Sequence, residues 1–299
     1  MAQQLRTLKR RIDSVKSTQK ITSAFELIAS SRVIRAQHRV EAARPYAETI
    51  RRLMASVAEA GASLSHPLLT ERDNVSAIGT IVISSDRGLA GAYNSNVIRA
   101  AERDMRAHGK DPRLFLVGKK AVGYFRFRGY EFEDSWTGIS DPPRIETARA
   151  VGRAAVEAYS EGAADQVRLA YTRYESALVQ RPTVVQLLPL PREEMEEGAD
   201  QERDATRASY EFEPSREGIL EALVPRYIEG LVYQGMLESV ASEHAARRRA
   251  MKAATDNADE LIETLTREYN QARQAEITTE IMEVVGGSEA LGAGAARHA

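Results

Sequence analysis

The sequence predicts an α/β fold with added long helices: a Rossmann-like α/β domain inserted between N- and C-terminal helices that form an antiparallel coiled coil. Three observations support this fold class. Apolar residues recur with a heptad period in the first and last parts of the 299-residue chain. Between them, strand-like and helix-like segments alternate. Two helices this long must bury their apolar stripes against a partner, and antiparallel packing supplies one.

Residues 1–58 are predicted to form one helix, about 80 Å long if it is continuous. From Leu5 to Val57, 13 of 16 heptad core positions are apolar. The three polar core positions are consecutive: Gln19, Thr22 and Glu26. We expect the phase of the helix to shift locally there, so that other apolar residues form the buried face. These residues are Ile21, Phe25 and Ile28.

Residues 75–212 are predicted to form the α/β domain. Its strands are expected at 77–84, 113–117, 166–174 and 183–188, and its helices at 92–108, 119–127 and 144–159. Alternation of strands and helices is typical of a mostly parallel sheet covered by helices. Residues 191–207 are acidic and poorly patterned, which predicts a surface loop.

Residues 213–286 are predicted to form the second long helix, about 105 Å long if it is continuous. From Leu220 onward, 11 of 18 heptad core positions are apolar, so the pattern is weaker than at the N-terminus. Two interpretations remain open. The helix is either an imperfect coiled-coil strand or a helix whose packing partner changes along its length. Gly286 and Gly287 predict the helix end, followed by a flexible tail at 287–299.

The composition limits the classes of function. With 41 basic and 43 acidic residues, the net charge is −2, which does not favour a nucleic-acid partner. The chain has no cysteine, which excludes disulfides, thiolate metal sites and cysteine nucleophiles. The N-terminal residues are polar and basic, unlike a secretory signal, and no apolar stretch approaches the roughly 18 to 20 residues of a membrane span. Membrane contact is therefore expected only through partners.

The sharpest local candidate for a ligand site is Ser84–Asn94, where a predicted strand ends and a helix begins. Such positions bind phosphates in α/β folds. The segment does not match the dinucleotide fingerprint, however, and the chain has no phosphate-loop motif. A tight strand-to-helix turn is therefore favoured over a phosphate cradle. The histidines are scattered and no catalytic grouping is evident, so we predict no enzyme active site, no metal and no cofactor.

Two basic clusters lie on the predicted long helices. The first comprises Arg6, Lys9, Arg10, Arg11, Lys16 and Lys20, and the second comprises Arg247, Arg248, Arg249 and Lys252. A charge run of this kind is usually the solvated side of a helix. The functional alternative is a belt that contacts acidic loops of a partner. A nucleic-acid surface is disfavoured by the aromatic fraction of 6%.

Three blocks of sequence carry a resemblance to a known family. They are Thr18–Arg32, Ser84–Asn94 (SSDRGLAGAYN), and a C-terminal block with Ser242–Ala254 (SEHAARRRAMKAA) and Arg273–Glu280 (RQAEITTE). In this order they resemble the signatures of the γ subunit of F-type ATP synthases, and the resemblance covers essentially the whole chain. The sequence departs from the family pattern at Ser23 and Phe25, where many members carry Lys and Met.

The resemblance implies a central stalk, a non-catalytic rotor shaft inside a hexameric ring of α and β subunits. Its base would bind the ε subunit and the c-ring of the membrane sector, at the cytoplasmic face of the bacterial plasma membrane. Proton-driven rotation of the c-ring would change the conformation of the catalytic β subunits, which synthesise ATP. A shaft acts on chemically identical subunits only through contacts that differ between their conformational states.

The resemblance also implies which residues contact the ring. Those on the helices are Lys20, Phe25, Arg247, Arg248, Arg273, Gln274 and Thr278. Three of them, at positions 273, 274 and 278, would form a hydrogen-bonded catch with a β-subunit loop. The loop residues expected near the base of the ring are Asp86, Arg87, Gly88 and Gly91.

Two other functions remain as alternatives to the rotor shaft. One is a coiled-coil scaffold or tether that carries an α/β binding domain. It would explain the long helices but not the three signature blocks in order. The other is an α/β enzyme with helical arms and a ligand at Asp86–Asn94. Its sequence support is the position of that loop at a strand end.

Overall fold

The computed structural model of the chain describes residues 2–59, 66–139, 142–191 and 216–295. The helices are α1 (Ala2–Glu59), α2 (Tyr93–His108), α3 (Lys119–Phe127), α4 (Ile145–Ser160) and α5 (Arg216–Ala295), with a short 3-10 helix at Pro67–Leu69. The strands are β1 (Ala77–Ile83), β2 (Asp111–Val117), β3 (Asp134–Trp136), β4 (Gln166–Tyr174) and β5 (Gln180–Leu188). Every predicted strand and helix is present, and β3 has no predicted counterpart.

The chain divides into two compact units, and their limits differ from the predicted domain boundaries. The first unit contains residues up to 27 and from 250 onward, and the second contains residues 28–249. Both long helices therefore contribute to both units. The boundaries predicted from sequence separate segments that pack together, because the later part of α1 and the earlier part of α5 belong to the core of the α/β unit.

In the first unit, α1 and α5 form an antiparallel coiled coil. Leu8 and Ile12 of α1 pack with Leu265 of α5 in a buried cluster. Further along α1, Thr22 contacts Thr255 of α5. Residue numbers that rise along α1 thus meet falling numbers on α5. The antiparallel pairing predicted from the heptad pattern is confirmed.

Two of the three polar core positions of α1, Gln19 and Thr22, remain in the seam between the helices, so the expected shift of helix phase is wrong. Thr22 is 8% exposed, and its hydroxyl oxygen lies 2.8 Å from that of Thr255. Gln19 Nε2 donates a hydrogen bond to the carboxylate of Asp259. Polar partners on α5 therefore maintain the heptad register without apolar side chains. The apolar residues expected to replace them are exposed instead: Ile21, Phe25 and Ile28.

The second unit is built around a five-stranded sheet with the strand order β3-β2-β1-β4-β5. The first four of these strands are parallel, and β5 pairs antiparallel with β4. The mostly parallel, Rossmann-like sheet predicted from sequence is confirmed. The connections from β1 and into β4 run to opposite sides of the sheet, so its topological switch point lies between these two strands.

Helices cover both faces of the sheet. Side chains alternate along β1, so that Ile81 and Ile83 join a cluster with α4 and α5, whereas Val82 joins a cluster with α2 and α3. The part of α5 from Leu220 to Met236 packs on the first of these faces. Of the two interpretations of the C-terminal helix, the change of packing partner along its length is confirmed.

The predicted end of the C-terminal helix at Gly286–Gly287 is wrong, because α5 continues to Ala295. A glycine inside a helix costs only about 1 kcal/mol relative to alanine, and no proline follows. Residues 296–299 of the predicted flexible tail lie outside the described residues, as does the predicted acidic loop from residue 192 onward. No helix in the described part of the chain has an apolar stretch long enough to cross a bilayer.

Candidate functional sites on the loop after β1 and on the long helices

The loop after β1 holds the start of α3. The Asp86 carboxylate accepts a hydrogen bond of 2.9 Å from the backbone N–H of Lys119. The N–H groups of the next two α3 residues bond to the Ser85 carbonyl at 3.0 Å and to the Ser84 hydroxyl at 2.9 Å. Unpaired N–H groups at a helix start are the ones that bind phosphates. The loop already occupies these groups of α3, so they are not free to hold a phosphate.

Side chains of the loop also close its own turn. Asn94 Oδ1 accepts hydrogen bonds from the backbone N–H of Ser85 at 2.9 Å and from its hydroxyl at 3.0 Å. Gly91 has a φ of 54°, a conformation that glycine adopts without a steric cost. The loop motif is therefore explained locally, by side chains that satisfy backbone groups.

Gly118, at the end of β2, brings that strand end against the same loop. A Cβ at this position would lie 2.3 Å from the carbonyl oxygen of Ser84, and the φ of Gly118 is 95°. Only glycine fits both restrictions. The Ser84 N–H donates to the Val117 carbonyl at 2.8 Å. The ends of β1 and β2 thus form one packed edge that carries the loop.

Two residues that the resemblance assigned to separate contacts, Gly88 and Arg247, touch each other. Arg247 Nη2 donates to the Gly88 carbonyl at 3.1 Å and to Glu243 Oε1 at 2.5 Å. The Arg247 side chain is only 12% exposed. Charge-assisted bonds of this kind hold a guanidinium in place. Arg247 therefore joins α5 to the loop after β1 instead of standing on the outer surface.

The two basic clusters differ in how their charges are used. In the second cluster, Arg249 donates to the Ala177 carbonyl at 2.9 Å, and Lys252 pairs with Asp256 at 2.7 Å. Arg248 is exposed. In the first cluster all six side chains are exposed. The first cluster is thus a surface feature, whereas most of the second serves internal contacts.

A cavity of about 460 Å³ lies at the carboxyl end of β1, within the second unit. Three residues assigned from sequence line it: Asp86, Arg87 and Arg247. The lining residues that sequence reasoning missed include Arg32, Tyr93, Lys119, Glu243 and His244. The preference of α/β folds for ligands at the carboxyl ends of the strands indicates the place. Which side chains the helices bring there depends on tertiary packing.

Tyr93 is a buried polar group of this cavity. Burial raises the pKa of its phenol, and the Glu243 carboxylate raises it further. The neighbouring Ser239 hydroxyl and the Arg247 guanidinium lower this pKa by a smaller amount. The phenol therefore stays protonated at physiological pH and serves as a neutral hydrogen-bonding group, not as a base.

The predicted contact residues of the first unit all lie on its surface: Lys20, Phe25, Arg273, Gln274 and Thr278. Thr278 donates its hydroxyl to the Gln274 carbonyl at 2.9 Å. Within the described residues, the guanidinium of Arg273 and the side-chain amide of Gln274 have no hydrogen-bond partner. The antiparallel register places residue 257 opposite Lys20, so Lys20 and Arg273 lie about 24 Å apart along the coiled coil. The contact residues predicted for the first unit therefore lie at two separate positions along the coiled coil, one near Lys20 and the other near Arg273.

Comparison with known proteins gives matches along nearly the whole chain. A protein-family model described as ATP synthase matches residues 4–291. The ATP synthase gamma chain of Saccharopolyspora erythraea is 48% identical, and the match covers 96% of this chain and 97% of that protein. The ATP synthase gamma chain of a Parafrankia species is also 48% identical, with coverage of 99% and 100%.

Solved structures with the same architecture come from mitochondrial ATP synthases. A chain in the central stalk and c-ring structure from Tetrahymena thermophila is 26% identical, with a TM-score of 0.59 over 78% of this chain and 99% of that chain. A chain in the OSCP/F1/c-ring structure from Euglena gracilis has a TM-score of 0.68 at 17% identity, over 98% and 96% of the two chains. The second match shows the fold alone.

The fold and these matches define the class of protein, a component of the ATP synthase complex. The chain belongs to the family of ATP synthase gamma chains, the γ subunits of F-type ATP synthases. It is a non-catalytic subunit with the role of central stalk, and catalysis takes place on the β subunits. The scaffold or tether that the sequence left open is not favoured, and neither is the α/β enzyme.

Proposed function

We propose that the chain couples proton-driven rotation of a membrane c-ring to conformational change in the catalytic β subunits of a hexameric ring of α and β subunits. Its base binds the ε subunit and the c-ring, and it is held at the cytoplasmic face of the bacterial plasma membrane only through these partners. Family membership supports this proposal, as does the 26% identity to a chain in a structure described as central stalk and c-ring.

The observation that carries the proposal is that the coiled coil in the first unit has apolar side chains on its outer face as well as in its seam. Its seam is closed by buried apolar residues such as Leu8 and Leu265. Its outer face nevertheless exposes apolar side chains, with Phe25 at 39% and Ile277 at 43% exposure. Apolar side chains outside a seam that is already filled are typical of contact with another protein. Arg273 and Ile277 are neighbours at i and i+4 on α5, so the same face offers both hydrogen-bonding and apolar groups.

The coupling works through contacts that differ between conformational states of the ring. The two helices of the coiled coil have different sequences, so each equivalent β subunit meets a different set of side chains. A rotor shifts a catalytic subunit only by the difference between its contacts in the two states. Each tenfold change in nucleotide affinity requires about 1.4 kcal/mol of that difference. One charge-assisted hydrogen bond from Arg273 supplies about 1.5 to 3 kcal/mol.

Affinity purification of the tagged chain from detergent-solubilised membranes tests the proposal. We expect α, β, ε and c subunits to copurify as a complex that synthesises ATP after reconstitution into vesicles with a proton gradient. The isolated chain serves as the control and should not hydrolyse ATP. Recovery of unrelated partners without ATP synthase subunits would overturn the proposal, and ATP hydrolysis by the chain alone would favour an enzyme instead.

A further inference from the structure

We infer that the cavity at the carboxyl end of β1 binds a small phosphoryl dianion, of which inorganic phosphate is the simplest example. The cavity lies entirely within the second unit. The inference does not rest on the rotor function, because it is argued from the lining of the cavity alone.

The charge of the lining favours an anion. The cationic side chains of the cavity are Arg32, Arg87, Lys119 and Arg247, and its carboxylates are Asp86 and Glu243. Both carboxylates already have partners. Glu243 forms an ion pair with Arg247, and Asp86 accepts the backbone N–H of Lys119. Cations are therefore in excess, and the carboxylates present do not neutralise them.

Three of these cations have no internal role. Within the described residues, the side chains of Arg32, Arg87 and Lys119 form no hydrogen bond or ion pair. Arg87 and Lys119 are exposed and Arg32 is half-buried. They come from three different elements: α1, the loop after β1 and the start of α3. Three cations from separate elements that line one cavity repel one another unless an anion lies between them.

The shape of the donor set favours a tetrahedral dianion over a single carboxylate. Cations that reach a cavity from different elements need acceptor oxygens that point in different directions, as those of a phosphoryl group do. The N–H groups at the start of α3 are already occupied by the loop, so recognition rests on side-chain charge. Binding through partly exposed charges is screened by salt. The site is thus expected to bind weakly and in a salt-dependent manner.

The position of the cavity is a second, independent observation. It lies at the carboxyl end of β1, and its lining also includes Lys119 after β2 and Gly138 and Ile139 after β3. Ligands of open α/β sheets bind in the crevice outside the carboxyl ends of the strands. In this chain the crevice is closed on one side by α5, whose Ser239, Val240 and Arg247 complete the lining.

Isothermal titration of the full-length chain with inorganic phosphate at low ionic strength tests the inference. We expect saturable binding of one phosphate per chain. Sulfate should compete with it, and chloride at the same ionic strength should not. Arg87→Gln and Lys119→Gln should each weaken phosphate binding about fivefold, and the double variant should abolish it. Both side chains are exposed, so the variants are expected to fold.

Lys110→Gln is the matched control, because Lys110 is an exposed lysine that does not line the cavity. It should bind phosphate as the unaltered chain does. Thermal unfolding gives a second measurement, since a bound anion raises the Tm of the unaltered chain and of the control but not of the double variant. The inference is wrong if no saturable binding occurs below about 10 mM phosphate, or if the double variant and the unaltered chain bind equally. An equal loss in the Lys110 control would also overturn it.

Discussion

Thr22 of α1 and Thr255 of α5 face each other in the seam of the coiled coil, with their hydroxyl oxygens 2.8 Å apart. Each hydroxyl also has a carbonyl acceptor on its own helix, the Gln19 carbonyl for Thr22 and the Met251 carbonyl for Thr255, both at 3.0 Å. Two hydroxyl protons thus serve three contacts, so the interhelical bond competes with the local ones. Such a layer specifies the register of a coiled coil but contributes little net stability.

Valine at both threonine positions should therefore stabilise the coiled coil. Valine preserves the shape of threonine, and each single variant leaves the other hydroxyl its local carbonyl, so we expect Thr22→Val or Thr255→Val alone to change stability by less than about 1 kcal/mol. The double variant makes the layer apolar and should gain about 1 kcal/mol. Urea unfolding followed by helical circular dichroism measures the change.

Thr266→Val is the control for this pair. Thr266 is exposed, and its hydroxyl donates to the Ile262 carbonyl of its own helix at 2.7 Å. Loss of this hydroxyl in Thr266→Val should leave the urea midpoint unchanged. Destabilisation of either single variant by more than about 1 kcal/mol would show that the interhelical hydroxyl contact contributes net stability, because each single variant already lacks it.

The same layer shows what the heptad pattern predicts and where it fails. Heptad core positions such as Leu8 and Val40 are buried as expected, at 8% and 6% exposure. The wrong prediction, a shift of helix phase, concerns only Gln19, Thr22 and Glu26. A periodicity of hydrophobic residues records only polarity along one helix. It has no access to a polar partner such as Thr255, which is 233 positions away in the chain.

Asp165, which directly precedes β4, should make the stability of the second unit depend on pH. Its carboxylate accepts hydrogen bonds from the backbone N–H of Ala77 at 3.0 Å, from the hydroxyl and N–H of Ser76 at 2.7 Å each, and from Arg72 at 3.0 Å. The Ala77 amide is the largest of the influences that hold the pKa of Asp165 well below its usual range, followed by the hydroxyl and amide of Ser76.

The direction of the pH effect follows from this lowered pKa. As the pH falls, the Asp165 carboxylate takes up a proton near pH 4 in the unfolded chain, but only at lower pH in the folded chain. The stabilisation by Asp165 is therefore complete above about pH 5 and decreases as the pH falls through the range below 4. Asp165→Asn should lower the free energy of unfolding by about 2 kcal/mol at pH 7 and flatten its decrease in acid. Asp73→Asn, at an exposed aspartate of the same segment, should behave as the unaltered chain. An equally steep acid profile in Asp165→Asn would assign the pH dependence to other groups.

Arg247 should stabilise the loop after β1. Arg247→Ala removes the hydrogen bond to the Gly88 carbonyl and leaves the Glu243 carboxylate, 14% exposed, without its ion pair. We expect a loss of about 2 kcal/mol in the free energy of unfolding. Amide hydrogen exchange in residues 84–91 should increase. Arg248→Ala, at the next and exposed arginine, should change neither quantity. Unchanged exchange in residues 84–91 of Arg247→Ala would contradict the proposed support of the loop by α5.

The loop itself was predictable, and its surroundings were not. Ser84–Asn94 was placed correctly at a strand end because a β-branched run followed by glycines marks that boundary. Three consecutive arginines, however, do not show which one points inward. The rotation of α5 within the second unit decides that Arg247 turns inward and that Arg248 does not. Similarly, β3 has only three residues, Asp134–Trp136, too few for a period of two to emerge.

Arg273 should contribute to coupling without contributing to the fold. Its side chain is exposed and has no partner among the described residues, so Arg273→Ala should leave the free energy of unfolding within about 0.5 kcal/mol of the unaltered chain. In the assembled complex, loss of a charge-assisted bond worth about 1.5 to 3 kcal/mol should lower proton-driven ATP synthesis about tenfold or more. ATP synthesis by reconstituted vesicles measures the effect.

Arg267→Ala supplies the comparison for Arg273, because Arg267 lies on the same helix, is exposed and pairs only loosely with Glu263 at 3.8 Å. A surface ion pair of this geometry contributes little to the free energy of unfolding. If the catch is specific, Arg267→Ala retains ATP synthesis while Arg273→Ala loses it. Equally lowered rates in the two variants would mean that the outer face of α5 acts through its overall charge, and unchanged rates in both would remove Arg273 from the coupling contacts. A fall in folding stability for Arg273→Ala would place its role in the fold.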